Sequence, residues 1–223
     1  MLTIIIADAE IEFVPKELFN EPDSISYARR RSKDISKVLL DSNYMHTAID
    51  KYYPGESKRR GRPEIIHVAL LVAMESILNQ SNRMRLYIHT RENFVIEVDW
   101  KTRIPRSYNR FIGLIESLLE NIEKNLNDES LLKIWKLDLN ECITKFSSGK
   151  IIILSPRGKY SSVRTIFENE SDYTIIIGGF AEGDYRSEIH HNIERISIFS
   201  QELSVWTVIS EIVCSYESKI GLV

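Results

Sequence analysis

Two short runs constrain the fold more than anything else in the chain: residues 151–154, Ile-Ile-Ile-Leu, and residues 173–177, Tyr-Thr-Ile-Ile-Ile. A strand with one wet face alternates apolar and polar side chains. A strand that is apolar almost throughout is buried on both faces, as happens in a parallel sheet covered by helices above and below. A loop follows each run, Ser155-Pro156-Arg157-Gly158 after the first and Gly178-Gly179 after the second, and residues 195–199 form a further β run. This alternation of strand, loop and helix predicts an α/β fold with a parallel-sheet core.

The predicted closing helix, residues 203–216, carries two apolar stripes: Trp206, Ile209, Val213 and Tyr216 on one, Val205, Val208 and Ile212 on the other. A helix apolar on two sides needs two partners, either the sheet and a second subunit or two parts of one larger core. With 223 residues, 43% of them hydrophobic, the chain has enough material for a sizeable core and for one large domain or two small ones. It shows no internal repeat and no low-complexity segment.

Several classes are excluded early. The apolar start, Met1-Leu2-Thr3-Ile4-Ile5-Ile6, meets Asp8, Glu10 and Glu12 without a basic region or a small-residue cleavage site, so residues 2–7 read as a strand and not a signal peptide. The longest apolar stretch, residues 65–74, is interrupted by His67 and falls far short of the roughly 20 residues that cross a bilayer. Cys142 and Cys214 stand far apart with no second thiol or histidine at ligand spacing, which predicts a reducing, intracellular setting, no structural zinc and no metal.

In the first two thirds, residues 15–23 read as a polar connection and residues 26–40 as a helix with Ile35, Val38 and Leu39 on its apolar side. Pro54-Gly55-Glu56-Ser57 opens a loop that ends at Pro63, a residue suited to the first turn of a helix over residues 64–78. Residues 86–90 and 94–98 flank a short Arg91-Glu92-Asn93 connection, which predicts an antiparallel hairpin. Ser107 can cap a helix whose Phe111, Leu114, Ile115, Leu118 and Ile122 keep helical period, and two shorter helices are expected within residues 129–145.

The net charge of −3 argues against a polyanionic partner only until it is divided along the chain. Residues 58–110 hold eleven lysines and arginines against five acids, an excess of six positive charges, while both flanks are acidic. Phosphate responds to local potential, so this segment alone can hold a nucleic acid; a solvated charged face is the plainer alternative. Within it, Gly61-Arg62-Pro63-Glu64-Ile65-Ile66-His67, with Glu75 farther on, gathers polar groups on one helix, since Glu64, His67, Leu71 and Glu75 fall close to one face. A carboxylate beside an arginine forms a charge-assisted anchor and can accept a proton, though a capping acid in a surface ion pair explains the same residues.

Farther on, Arg103, Arg106 and Arg110 fall at i, i+3 and i+7 beside Tyr108 and Phe111, a spacing that aims three planar phosphate-binding forks the same way next to a stacking surface. Gly178-Gly179-Phe180 with Gly183 lets a ligand approach the backbone at the carboxyl edge of the sheet. The pair does not match the dinucleotide fingerprint.

Taken in order, these strings resemble the pseudouridine N1-methyltransferases of small-subunit ribosome assembly, a branch of the knotted SPOUT methyltransferases. The resemblance runs nearly end to end: Ile4-Ile5-Ile6-Ala7-Asp8-Ala9-Glu10, Leu40-Asp41 with His46, the Gly61–His67 string, Leu86-Tyr87-Ile88-His89-Thr90-Arg91, the arginine triplet, Ile177-Gly178-Gly179-Phe180 and residues 203–206. It implies a single SPOUT α/β domain over residues 1–223, with a β-rich, RNA-binding extension at about 41–110 and a trefoil-knotted cofactor region at about 150–223. It further implies a cytoplasmic homodimer that uses S-adenosylmethionine on a small-subunit rRNA hairpin.

The residues implied for the cofactor are Leu154, Ser155, Gly158, Gly178, Gly179, Gly183, Ile196, Ile198 and Leu203, contributing largely backbone groups. Arg62, Arg103, Arg106 and Arg110 match the family's RNA-binding arginines, and Arg59 of the same basic run joins them. Glu75 is expected to accept the proton of pseudouridine N1, with Glu64 orienting Arg62. The sequence departs from the family pattern in having Glu64 and Glu75 where aspartate is usual, each carboxylate about 1 Å farther out, and in placing Ile77 where proline is expected. Gln80-Ser81-Asn82 also lacks an expected glycine. A non-catalytic rRNA-binding assembly factor and a SPOUT enzyme acting on a tRNA base are the competing readings.

Overall fold

A computed structural model describes residues 1–122, 130–167, 172–189 and 192–223. Among these residues seven strands form one sheet in the order β4-β3-β2-β1-β6-β5-β7. They are β1 (Leu2–Ala9), β2 (Met84–Thr90), β3 (Phe94–Val98), β4 (Leu132–Lys136), β5 (Lys150–Tyr160), β6 (Tyr173–Gly178) and β7 (Glu194–Ser197). From β2 across to β7 the pairing is parallel, whereas β3 and β4 add to β2 antiparallel. The predicted hairpin is present and continues the core sheet.

The helices are α1 (Pro22–Arg31), α2 (Ser42–Tyr52), α3 (Pro63–Met74), α4 (Ile77–Gln80), α5 (Tyr108–Glu120), α6 (Leu139–Phe146), α7 (Val163–Ile166) and α8 (Val205–Lys219). Every residue of β1 is buried, and its side chains divide by alternation. Leu2, Ile4 and Ile6 pack beneath α3, α5 and α8, while Ile5 and Ala7 meet Leu139, Cys142 and Ile143 of α6 on the other face. The strand is therefore apolar on both sides because both sides are covered. A smaller core, including Leu18, Tyr27, Val38, Met45 and Ile49, holds α1 and α2 together beside the sheet.

Several expectations change. Residues 26–40 are not one helix: α1 starts earlier, at Pro22, and ends at Ser32, whose left-handed backbone (φ 51°) turns the chain. A separate turn over Ile35–Lys37 is then capped by Asp34, whose carboxylate accepts the Ser36 amide at 2.9 Å. The helix expected over residues 64–78 stops at Met74, because the Ser76 hydroxyl accepts the Asn79 amide and caps α4 instead.

Within residues 129–145 the structure has strand β4 and one helix, α6, opened by a capping box between Asp138 and Glu141; residue 129 lies outside the described residues. The polar connection at 15–23 contains a short turn over Lys16–Leu18 that buries Leu18. Ser107 does precede α5, although its hydroxyl makes no capping bond. Along α8 the buried stripe is Val205, Ile209, Ile212, Val213 and Tyr216, which leaves Trp206 exposed.

Candidate functional site

Strands β6, β5 and β7 run the same way, so the segments that follow them meet at one edge of the sheet, where α8 also begins. That edge is where open α/β sheets bind ligands. Between these segments lies a cleft walled by Ile177, Ile196, Ile198, Leu203 and Val205, with Phe180 at one side and the acids Glu182, Asp184 and Glu202 at the rim. Apolar walls with a few charged groups at the mouth suit a flat apolar group joined to a cationic one.

Local sequence explains the cleft. Leu154 and Lys159 both pair with Ile196, so the four residues between them leave the β5–β7 ladder as a bulge, and the first two, Ser155 and Pro156, line the opening. After β6, residues 178–185 fold back over the strand ends. Tyr185 pins that loop from within: its buried hydroxyl lies 2.8 Å from the Leu154 carbonyl and 3.2 Å from that of Ile176, and its ring meets Phe180 edge-on. Burial, then the nearby Asp184 and Asp8, push the phenol well above its ordinary range, so it stays protonated and donates. Gly183 sits at φ +91°, a conformation that side chains disfavour.

Of the nine residues expected at a cofactor, Leu154, Ser155, Gly178, Gly183, Ile196, Ile198 and Leu203 line this cleft. Gly158 and Gly179 serve packing. A Cβ on Gly158 would lie 2.6 Å from the Ile196 backbone, and one on Gly179 would lie 2.8 Å from Ile6 and 2.9 Å from Ala9. Phe180, Asp184 and Tyr185 were not foreseen as site residues; the aromatic directly after the glycine pair was the one sign available in the sequence.

The other expected site residues lie elsewhere. Glu75, at the C-terminal end of α3, lines a separate groove with Trp100, Lys101, Arg103 and Arg106, and its carboxylate lies 3.3 Å from exposed Arg106. Arg62 is ion-paired through Nε with Glu64 and donates from Nη1 to the Lys58 carbonyl at 3.1 Å. Arg103 and Arg110 are exposed. His67 Nε2 donates to the Pro105 carbonyl at 2.7 Å and the ring stacks on Phe111, which ties the arginine segment to α3. Tyr108 donates to Asp41 at 2.6 Å, and burial together with that carboxylate pushes its phenol far up. None of Glu75, Glu64 and Arg62 lines the cleft of the same chain.

Much of the positive charge counted at residues 58–62 is already neutralised. Arg60 donates to Glu12 through Nε at 2.6 Å and Nη2 at 2.8 Å, and Arg59 donates from Nε to Glu10 at 2.8 Å. Arg91 reaches both Glu10 (2.7 Å) and Glu56 (3.0 Å). Glu10 and Glu12 are buried just past β1, so Arg59 and Arg60 are held internally.

Asp8, also buried, accepts from the Arg186 and Ser187 amides at 2.7 and 3.0 Å, anchoring the chain beyond the cleft loop. Its own amide donates to His89 Nδ1 at 3.3 Å, which leaves the proton of His89 on Nε2, facing Asn93 Oδ1 at 3.1 Å. Among the described residues no cluster of histidine, cysteine, aspartate and glutamate suits a metal ion, and no helix is long and apolar enough to cross a membrane.

Known proteins share this arrangement. The chain is 48% identical over 222 residues to the ribosomal RNA small subunit methyltransferase Nep1 of Thermoplasma volcanium, covering all of both chains. It is 41% identical over 219 residues to the Pyrococcus furiosus protein of the same name, covering 97% of this chain and 96% of that one. The crystal structure of Archaeoglobus fulgidus Nep1 bound to S-adenosylhomocysteine superposes with a TM-score of 0.85 at 27% identity, over 98% of each chain, which makes the fold that of a SPOUT protein. The family model described as EMG1/NEP1 methyltransferase matches residues 4–217. With the family model spanning residues 4–217 and a full-length relative 48% identical, the chain belongs to the EMG1/NEP1 methyltransferase family.

Proposed function

We propose that this protein methylates N1 of pseudouridine in a hairpin of small-subunit ribosomal RNA, using S-adenosylmethionine, as a cytoplasmic homodimer. The carrying observation is the cleft itself: seven of the nine expected cofactor residues line it, and the fold is shared with a neighbour whose structure holds S-adenosylhomocysteine. The cleft fits that group, since its apolar walls suit an adenine and the rim acids Glu182 and Glu202 suit a cationic sulfonium and amine, Asp184 being paired with Arg157 at 3.2 Å.

When bound, S-adenosylmethionine supplies an electrophilic methyl group on sulfur. The chain's contribution is to hold the nucleobase nitrogen in line with that methyl and to receive the N1 proton. Alignment alone accounts for a large share of such a rate. We assign proton acceptance to Glu75, whose exposed carboxylate is held, among the described residues, only by the exposed Arg106, and assign Glu64 to orienting Arg62, as their ion pair supports. Arg62, Arg103, Arg106 and Arg110 present the RNA, with the target base flipped out of its loop.

Because Glu75 does not line the cleft of its own chain, this assignment requires a second copy to bring groove and cleft together. Tyr160, Phe199 and Trp206, each a large exposed hydrophobic at the sheet edge or on α8, are available for that contact. On this reading the whole chain acts as one domain, with residues 41–110 presenting RNA and residues 150–223 holding the cofactor in a trefoil knot; the close approach of Gly158 to Ile196 supports such threading.

The experiment is methyl transfer to a pseudouridine hairpin and to its uridine twin, with sedimentation of the protein alongside. Transfer to pseudouridine only, by a dimer, is expected. Tight RNA binding without transfer would favour a non-catalytic assembly factor, and transfer to uridine would sink the N1 assignment. Glu75→Gln should slow transfer at unchanged RNA affinity; full turnover would remove Glu75 as the base.

A further inference from the structure

Arg59 lies in the basic run expected to meet RNA, yet its side chain is only 17% exposed and turns inward. Four contacts fix it. Its Nε donates to Glu10, a fully buried carboxylate just past the end of β1, at 2.8 Å. Its Nη1 donates to the Asp184 carbonyl at 2.7 Å and reaches that of Glu182 at 3.5 Å. Its guanidinium lies over the Phe180 ring, 4.1 Å from the centroid. All three loop partners belong to residues 180–184, which line the cleft.

We propose that Arg59 is a positioning residue for the cofactor: it latches the 180–184 loop in its binding shape and links that loop to the RNA-binding segment. The loop is then clamped from two sides. Tyr185 holds it from inside by its bond to the Leu154 carbonyl, and Arg59 holds it from outside. Carbonyls that accept from a cation make stronger bonds than neutral pairs do, and the planar fork lets one side chain bridge a carboxylate and a backbone that face it from different directions. Gly183 completes the fit, because a Cβ there would lie 3.0 Å from Arg59 Nη1.

The linkage follows from position. Arg59 sits between Lys58, whose carbonyl accepts from Arg62, and Arg60, which is locked to Glu12. A shift of Arg62 on an RNA phosphate therefore reaches the latch through the Lys58 carbonyl and the adjoining backbone. Two ligands that share such an ordered element favour each other's binding, and by the same amount in both directions.

This inference rests on the cleft being the S-adenosylmethionine site. The test is calorimetry of wild type, Arg59→Lys and Phe180→Leu with S-adenosylhomocysteine, together with hairpin RNA affinity measured with and without that ligand. Phe180→Leu keeps the arginine and removes the ring beneath it, a ring that also edges the cleft and meets Tyr185. Expected for Arg59→Lys are cofactor affinity weaker by about tenfold or more, RNA affinity of the ligand-free protein unchanged, and loss of any increase in RNA affinity on adding ligand. Phe180→Leu should weaken cofactor affinity in the same direction.

If Arg59→Lys weakens RNA binding while cofactor affinity holds, Arg59 is a phosphate contact and the proposal falls. Equal cofactor affinity in all three proteins also overturns it. Wild type that binds no S-adenosylhomocysteine overturns both this inference and the cofactor reading, a result distinct from a wild type that binds while the variants match it.

Discussion

The fully buried carboxylate of Glu116, on α5, accepts from the Arg31 guanidinium at 2.8 Å. Lys33 approaches the same carboxylate at 2.9 Å, and its other oxygen accepts the Leu39 amide at 3.2 Å. One acid therefore fastens the α1–α2 lobe to the sheet domain. Glu116→Gln should cost about 3 kcal/mol, the low end for breaking a buried pair, since Arg31 and Lys33 can turn to water. Urea unfolding checks this; a change below about 1 kcal/mol would mean that the lobe is held mainly by apolar contact.

Gly158→Ala should be more damaging than a surface substitution beside a ligand site. The added carbon would press on the backbone of Ile196 and Arg195, at 2.6–2.7 Å, and backbone cannot rotate aside. A loss of about 3 kcal/mol is expected. Thermal melts without ligand would expose it, and an unchanged melt would show that β7 can shift outward.

His89 is buried, and that burial, only partly opposed by Asp8 and Asn93, lowers its pKa below 6.5. The folded state then binds its proton less readily than the unfolded state. Stability from this group is complete above about pH 6.5 and falls as pH drops toward the lower folded value. Asp138 and Arg186 also act on the ring, with opposite signs. The melting temperature of wild type should therefore drop more between pH 7 and pH 5 than that of His89→Gln, and parallel curves would contradict the assignment.

Two classes of arginine should separate cleanly. Arg103→Ala and Arg110→Ala, at exposed positions, should leave stability within about 0.5 kcal/mol and lower the salt slope of RNA binding by about one each. Arg60→Ala should instead leave the buried Glu12, among the described residues, with only the longer Arg91 contact, at 3.5 Å, and destabilise the fold by about 3 kcal/mol. Paired denaturation and RNA titrations would reveal any overlap.

The buried strands were legible in the sequence because an unbroken apolar run has one economical explanation, and residues 2–7, 151–154 and 173–177 all lie within the core strands found. The hairpin and the cleft glycines were legible too. The break after Met74 was not, since it depends on the Ser76 hydroxyl competing for backbone partners, which periodicity does not encode. Strand β4 was missed because Leu132, Ile134 and Lys136 face one way only once β3 is there to pair with. Nor could composition distinguish Arg60, locked to Glu12, from Arg103 in water; that difference is set by an acid 48 positions away in the chain.

The central place of β1, between β2 and β6, bears on how the protein is made. As the chain emerges from the ribosome, β2, β3 and β4 can join β1 while β6 is still unsynthesised. Until it appears, one edge of an isoleucine-rich strand stands open, with unmet amides and carbonyls that another chain can copy. Newly made protein is thus most vulnerable to clumping in the interval before residue 173 is added, and slower elongation through the second half would lengthen that exposure.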